Sequence, residues 1–246
     1  MSSSGPWPML AGTLLLLGLG ALTLPRLLGP DQPAGTNAAL DARVEEGPAG
    51  LDPQARAQLM DDLAAADQEW IPRAEALPEG GTRYLYKRRS GDPELSIAEI
   101  QDLIDRPPSF LRERNAIVAL LDTLERAQVR VDLVRPHKQG AAGEWDPRAG
   151  TLRIRPDVVE KGSAEFAKVL NHEAIHVAQS CGNGNLRAAP RPLGLTTRMD
   201  PQLERNLDEP IYAKASASEQ ELEREAYANQ HHLELGTSLV ESHCLN

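Results

Sequence analysis

The sequence predicts an α+β fold: a mostly helical domain with a small sheet, preceded by an N-terminal hydrophobic anchor. Three observations carry this. Apolar residues recur at helical spacing in several stretches, such as Phe110, Ile117, Leu120, Leu121 and Leu124. Two short runs, Val129 to Val134 and Thr151 to Arg155, alternate with the two-residue period of a half-buried strand. The stretch from Trp7 to Leu24 is dominated by Leu, Gly and Ala, and no charged side chain precedes Arg26.

The elements follow in chain order. Trp7 to Leu24 is about as long as the shortest membrane-spanning helix. A cleaved signal peptide is the competing reading of residues 1–28, but it needs a basic start and an A-x-A-like cleavage site. A retained transmembrane anchor is therefore favoured. Gly29 to about Leu51 is rich in Pro, Gly, Ala and acid and reads as a flexible tether, with the linker as a whole taken to residue 58. Pro53 to Ala76 reads as a helix carrying Leu59, Leu63 and Trp70. Pro78-Glu-Gly-Gly breaks it, and a short strand is expected at Arg83 to Lys87. Residues 59–94 then form a helical segment ahead of a compact domain at 95–246.

Within that domain, Ser96 to Ile104 reads as a helix stopped by Pro107-Pro108, and Ser109 to Ala127 as a longer one. The two alternating runs are expected to pair in a small sheet, with Gly140 to Gly150 as turn residues between them. A further helix has Ser163 as N-cap, Glu165 in its first turn and Gly182 as its stop after Cys181. Asn183 to Ala217 is irregular, and a loop of that length inside a compact domain is usually functional or mobile. A last helix is expected from Glu219 to Leu235, with Ser218 and Glu221 as a capping box and Gly236 as its end.

Composition narrows the function. A net charge of -10 gives no basic footprint, which argues against nucleic acid as a partner. With only two cysteines, Cys181 and Cys244, a four-cysteine metal cage is excluded. The pair is either two separate thiols or one disulfide tying the C-terminus to the end of the 163–182 helix. A disulfide requires an oxidising compartment, which places the domain outside the cytoplasm on its anchor.

The chemistry lies in His172-Glu-Ala-Ile-His176. Residues four apart share one helix face, so both imidazoles can reach a single Zn²⁺. Glu173 projects beside the metal, where it can take a proton from metal-held water and pass it to a leaving amine. Around these residues Phe166, Ala167, Val169, Leu170, Ala174, Ile175, Val177 and Ala178 make the helix apolar on almost every side. Burying two histidines and a glutamate without partners is costly, and a metal would satisfy all three.

The run Val169-Leu-Asn-His-Glu-Ala-Ile-His-Val-Ala resembles the extended motif of the zincin metallopeptidases. The resemblance covers this helix and the last helix, and says nothing of residues before about Val129. The metzincin branch needs Gly and His at positions held here by Gln179 and Gly182, so it is excluded. The gluzincin-like branch takes its third zinc ligand from a glutamate on a downstream helix, and Glu221-Leu-Glu-Arg-Glu-Ala-Tyr-Ala offers three. Glu221 is assigned to the cap. Glu223 heads an E-x-E-A arrangement similar to that branch's ligand motif and is the expected ligand, with Glu225 as the second candidate. Tyr227 stands where those families place Asp or Asn, so the hydrogen bond that usually orients a ligand histidine needs another partner.

The resemblance implies Zn²⁺ on His172, His176 and Glu223, Glu173 as general base, and hydrolysis of a peptide or protein substrate. It also implies an edge strand that aligns an extended substrate, a role open to Thr151 to Arg155, which reads equally as a plain core strand. Tyr212 and one of His231-His232 are candidate oxyanion donors, against simple packing and surface roles. Asn171 and Gln179 are candidates for orienting ligands; His137 and His243 are assigned nothing. Two other functions fit the same residues: hydrolysis of a non-peptide amide, and a membrane-tethered zinc-binding scaffold without turnover.

Overall fold

The computed structural model describes residues 50–88, 93–199, 204–208, 212 and 215–246. The predicted anchor and most of the tether lie outside these residues. Among the described residues no helix is long and apolar enough to cross a membrane. The fold is mixed α and β and mostly helical. Helix α1 (Pro53–Glu69) leads to a hairpin of β1 (Arg73–Ala76) and β2 (Thr82–Leu85), followed by helices α2 (Ile97–Asp105) and α3 (Leu111–Arg126). Strands β3 (Arg130–Leu133), β4 (Gly143–Asp146) and β5 (Thr151–Ile154) precede the long helix α4 (Gly162–Gly182). Helices α5 (Ala217–Asn229) and α6 (Leu235–Cys244) close the chain.

Several expected boundaries move, each for a local reason. The first helix stops at Glu69 rather than Ala76, because Ile71 precedes Pro72 and is disfavoured in helical backbone. Arg73–Ala76 instead pairs with β2. Helix α1 starts inside the stretch read as linker, with the Asp52 side chain accepting from Ala55 N–H at 2.7 Å. Its Leu59 and Leu63 lie in one core with Ile117, Leu124, Leu152 and Phe166, so α1 belongs to the domain expected to begin near Leu95.

The three-stranded sheet has the order β3-β5-β4, with β3 parallel and β4 antiparallel to β5. Gly143–Asp146 falls in the stretch expected as turn. It is one of the two outer strands, and β5 is central, with Leu152 and Ile154 fully buried. Thr151 to Arg155 is therefore a central strand and not an edge; β3 and β4 are the edges of this sheet. The indole N–H of Trp145 donates to Ser180 Oγ at 2.9 Å and fastens the β4 edge to α4.

Helix α4 is central, packed by α1, α3, α5, α6 and β4. It begins at Gly162, and Ser163 is not its N-cap. Lys161 holds that position without a side-chain cap. The cap comes from α1: Asp67 Oδ1 accepts from Ser163 N–H, and Oδ2 accepts from the Ser163 hydroxyl, both at 2.7 Å. Asp67 is 1 % exposed and also pairs with Arg114 of α3. At the other end, Cys181 is bonded to Cys244 of α6.

The capping box of α5 uses Ser216 and Glu219, not Ser218 and Glu221, because the helix extends back to the earlier of two overlapping S-x-x-E patterns. The helix ends at Asn229 rather than Leu235. There the Asn171 amide donates to Gln230 O and His232 O, and its Oδ1 accepts from Gly236 N–H at 2.7 Å. One side chain thus satisfies the turn between α5 and α6. Gly236 begins α6 instead of ending α5, and a Cβ there would lie 2.5 Å from Asn171 Oδ1.

Asp67→Ala should lower the free energy of unfolding by about 3 kcal/mol or more, since it strands a partly buried Arg114 and uncaps α4. Urea denaturation checks this, and a loss below about 1 kcal/mol would contradict the capping role.

Candidate metal centre

Helix α4 presents His172 and His176 one turn apart, and α5 brings Glu223 across from them. The two Nε2 atoms are 3.2 Å apart. Glu223 Oε2 lies 3.3 Å from His172 Nε2 and 3.7 Å from His176 Nε2. The corners of a tetrahedron around a divalent ion with bonds of ~2.0–2.1 Å are about 3.4 Å apart. Among the described residues these three form a group that could hold a metal ion.

The surroundings fit a cation. His172 Nδ1 is buried and has no hydrogen-bond partner, so the only polar engagement of that ring is at Nε2, on the shared side. Tyr227 packs edge-on against it, with ring centres 4.7 Å apart. On His176, Nδ1–H donates to Gln179 Oε1 at 2.7 Å, which turns the Nε2 lone pair to the common point. Burial opposes charge on His176. The hydrogen bond and charge of Glu223, with Glu173 and Gln179, outweigh it and raise its pKa from 6.5 to about 9. Burial likewise opposes charge on Glu223, yet hydrogen bonds from both histidines hold its carboxyl well below the usual range. Surroundings that retain a proton this firmly also attract a metal cation.

Glu173 is 6 % exposed, beside the histidines and under β4. Burial drives its pKa up; the two histidines and the Trp145 N–H pull against this, and Glu223 adds to the rise. Trp145 N–H belongs to the outer edge of β4 and faces the carboxylate. Gly143 is against the same side chain: a Cβ there would lie 2.6 Å from both Cγ and Oε1 of Glu173. Only glycine lets the strand approach this closely.

Two further groups cover Glu223. The Tyr212 hydroxyl donates to Oε2 at 3.1 Å and meets the Tyr227 hydroxyl at 2.9 Å. Burial and the adjacent carboxylate push the Tyr212 pKa far up, so the phenol keeps its proton. Lys138 Nζ sits 4.2 Å from the Tyr212 ring centre and 3.7 Å from Glu223 Oε1.

The expected residues thus divide. His172, His176 and Glu223 converge, with Glu173 beside them and Tyr212 in contact. Glu225 does not join them: it is fully buried and accepts from Gln179 and three loop amides. Glu221 is exposed on the far side of the cap. His231 and His232 are exposed in the α5–α6 turn. Gln179 contacts His176 Nδ1, whereas Asn171 serves the turn. Gly143, Trp145 and Lys138 carried no sequence signal; they lie in or beside a stretch whose composition reads as turn. No family model, curated protein or solved structure matches the chain.

Glu223→Gln should weaken zinc binding by at least about tenfold, while Glu221→Gln leaves it unchanged. Competition titration with a chromophoric chelator measures both. Equal affinities for the two variants would remove Glu223 from the ligand set.

Proposed function

We propose that this chain is a zinc-dependent hydrolase of peptide bonds. The observation that carries the reading is the convergence of His172 Nε2, His176 Nε2 and Glu223 Oε2, with the Glu173 carboxylate beside them beneath the edge strand β4. Two imidazoles and one carboxylate are a donor set used by catalytic zinc. Zinc bound there would polarise a carbonyl and make water acidic enough for a carboxylate base.

The chain's own groups supply the rest. Glu173 takes the proton from the attacking water and later gives it to the leaving amine. Burial suits it to both halves of that cycle, because a raised pKa makes the carboxylate a better base and keeps its protonated form accessible nearer neutral pH. Trp145 N–H lies on one side of the carboxylate, and the missing side chain at Gly143 lets the strand backbone pack directly against it. The outer edge of β4 aligns an extended substrate through main-chain hydrogen bonds, the role first considered for Thr151 to Arg155. The protonated Tyr212 hydroxyl, which rests on Glu223, is the donor we assign to charge developing on the substrate oxygen.

The Cys181–Cys244 bond supports an oxidising compartment, and the apolar stretch of residues 7–24 supports an anchor in a membrane. We therefore place the domain on the extracytoplasmic side. A second reading, a zinc-binding scaffold without turnover, is favoured by one feature: Lys138 and Tyr212 cover Glu223, and structural zinc sites are closed.

Glu173→Gln should reduce peptide hydrolysis by about a hundredfold or more while zinc content stays at the wild-type level. Turnover of a mixed peptide library, followed by mass spectrometry, reads the first and elemental analysis the second. No hydrolysis by the zinc-loaded wild type would favour the scaffold. Gly143→Ala displaces Glu173 and should lower turnover by about a hundredfold with zinc retained; unchanged turnover would remove β4 from the site.

A further inference from the structure

Glu225 is the buried acid of the Glu221–Glu225 run that the metal reading leaves without a task. It is 1 % exposed. Its Oε2 accepts from Gln179 Nε2 and Leu193 N–H, each at 2.9 Å. Its Oε1 accepts from Gly194 N–H at 2.6 Å and Leu195 N–H at 2.9 Å. Three consecutive loop amides and one side-chain amide thus share a single carboxylate. The same loop is held by Arg191 N–H on Gln179 O at 3.1 Å, and by Asn229 Nδ2 on Thr196 O at 2.9 Å.

The Gln179 amide has two ends, and the orientation of each is forced. A carboxylate only accepts, so the NH₂ end must face Glu225. The oxygen then faces His176 Nδ1, 2.7 Å away, and requires the proton to be on that nitrogen. Glu225 therefore fixes the amide, the amide fixes the imidazole tautomer and rotation, and Nε2 is left for the metal.

We propose that Glu225 is a positioning residue that couples metal binding at His176 to anchoring of the 191–196 loop, through Gln179. The inference rests on the metal reading above. Coupling of this kind is reciprocal: if the anchored loop raises zinc affinity by some factor, zinc favours the anchored loop by the same factor. Loss of a group that orients a ligand histidine changes metal affinity by about tenfold to a hundredfold, which sets the size of both effects.

The test uses the full chain, stripped by chelator and then given zinc. Hydrogen exchange at the amides of Leu193, Gly194 and Leu195 should slow by about tenfold on zinc binding. In Gln179→Leu, zinc affinity should fall by a similar factor, and the effect of zinc on those amides should vanish. Gln179→Met serves where the leucine variant fails to fold, as judged by circular dichroism. Glu221→Gln, on the same helix as Glu225 but exposed, should behave as wild type. Zinc binding by the wild type without slower exchange at these amides would overturn the coupling and leave the metal site standing. So would equal slowing in the Gln179 variant. A wild type that takes up no zinc would overturn the metal reading and this inference together.

Discussion

Helix α4 is enclosed on nearly every side, yet its buried surface includes His172, Glu173 and Gln179, with His176 almost covered. Polar groups removed from water must be paired, and ionisable ones more so. Three of these side chains have a specific answer: Trp145 N–H for Glu173, Glu225 for Gln179, Gln179 for His176. The two Nε2 atoms and Glu223 answer one another only through a shared cation or proton. The neighbouring elements are placed by this requirement. The β4 strand lies where its main chain reaches Glu173, and α5 lies where Glu223 and Glu225 reach opposite parts of the same helix.

The frame holding α4 is built from distant parts of the chain. Asp67, at the end of α1, caps the helix start, and Cys244 secures its last turn. Asn171 fixes the turn that sets the direction of α6 against α5. These contacts fix the helix at its start, middle and end. A donor cluster with spacings between 3.2 and 3.7 Å needs such support, because displacement of about an ångström spoils a catalytic arrangement.

The sequence made the helix of the histidine pair legible because its signals are local. Histidines four apart share a face, and an apolar surround implies burial. Glu223 was legible through its place in the E-x-E-A run, as a resemblance. The edge strand was not, because β4 is four residues long and lies among glycines. Its partner β5 shows the same alternation whether it sits at the centre or the edge of a sheet. Whether Glu223 or Glu225 faces the histidines depends on the rotation of α5, which tertiary packing sets. The cap of α4 was misread for a similar reason: Ser163 is a good local N-cap, but a buried aspartate 96 positions earlier binds its N–H and hydroxyl instead. Domain limits moved because α1 is weakly amphipathic, and Leu59 and Leu63 alone did not reveal that it belongs to the core.

The central claim is that the α4–α5 cluster binds a metal ion, and metal content tests it most directly. The full chain is purified without added metal, beside a His172→Ala/His176→Ala double variant, and both are analysed by plasma mass spectrometry. The account predicts about one zinc per wild-type chain and none retained by the double variant. A wild-type chain that stays free of metal after zinc is offered would contradict it, and would leave the buried histidine–carboxylate cluster as a proton-holding core network.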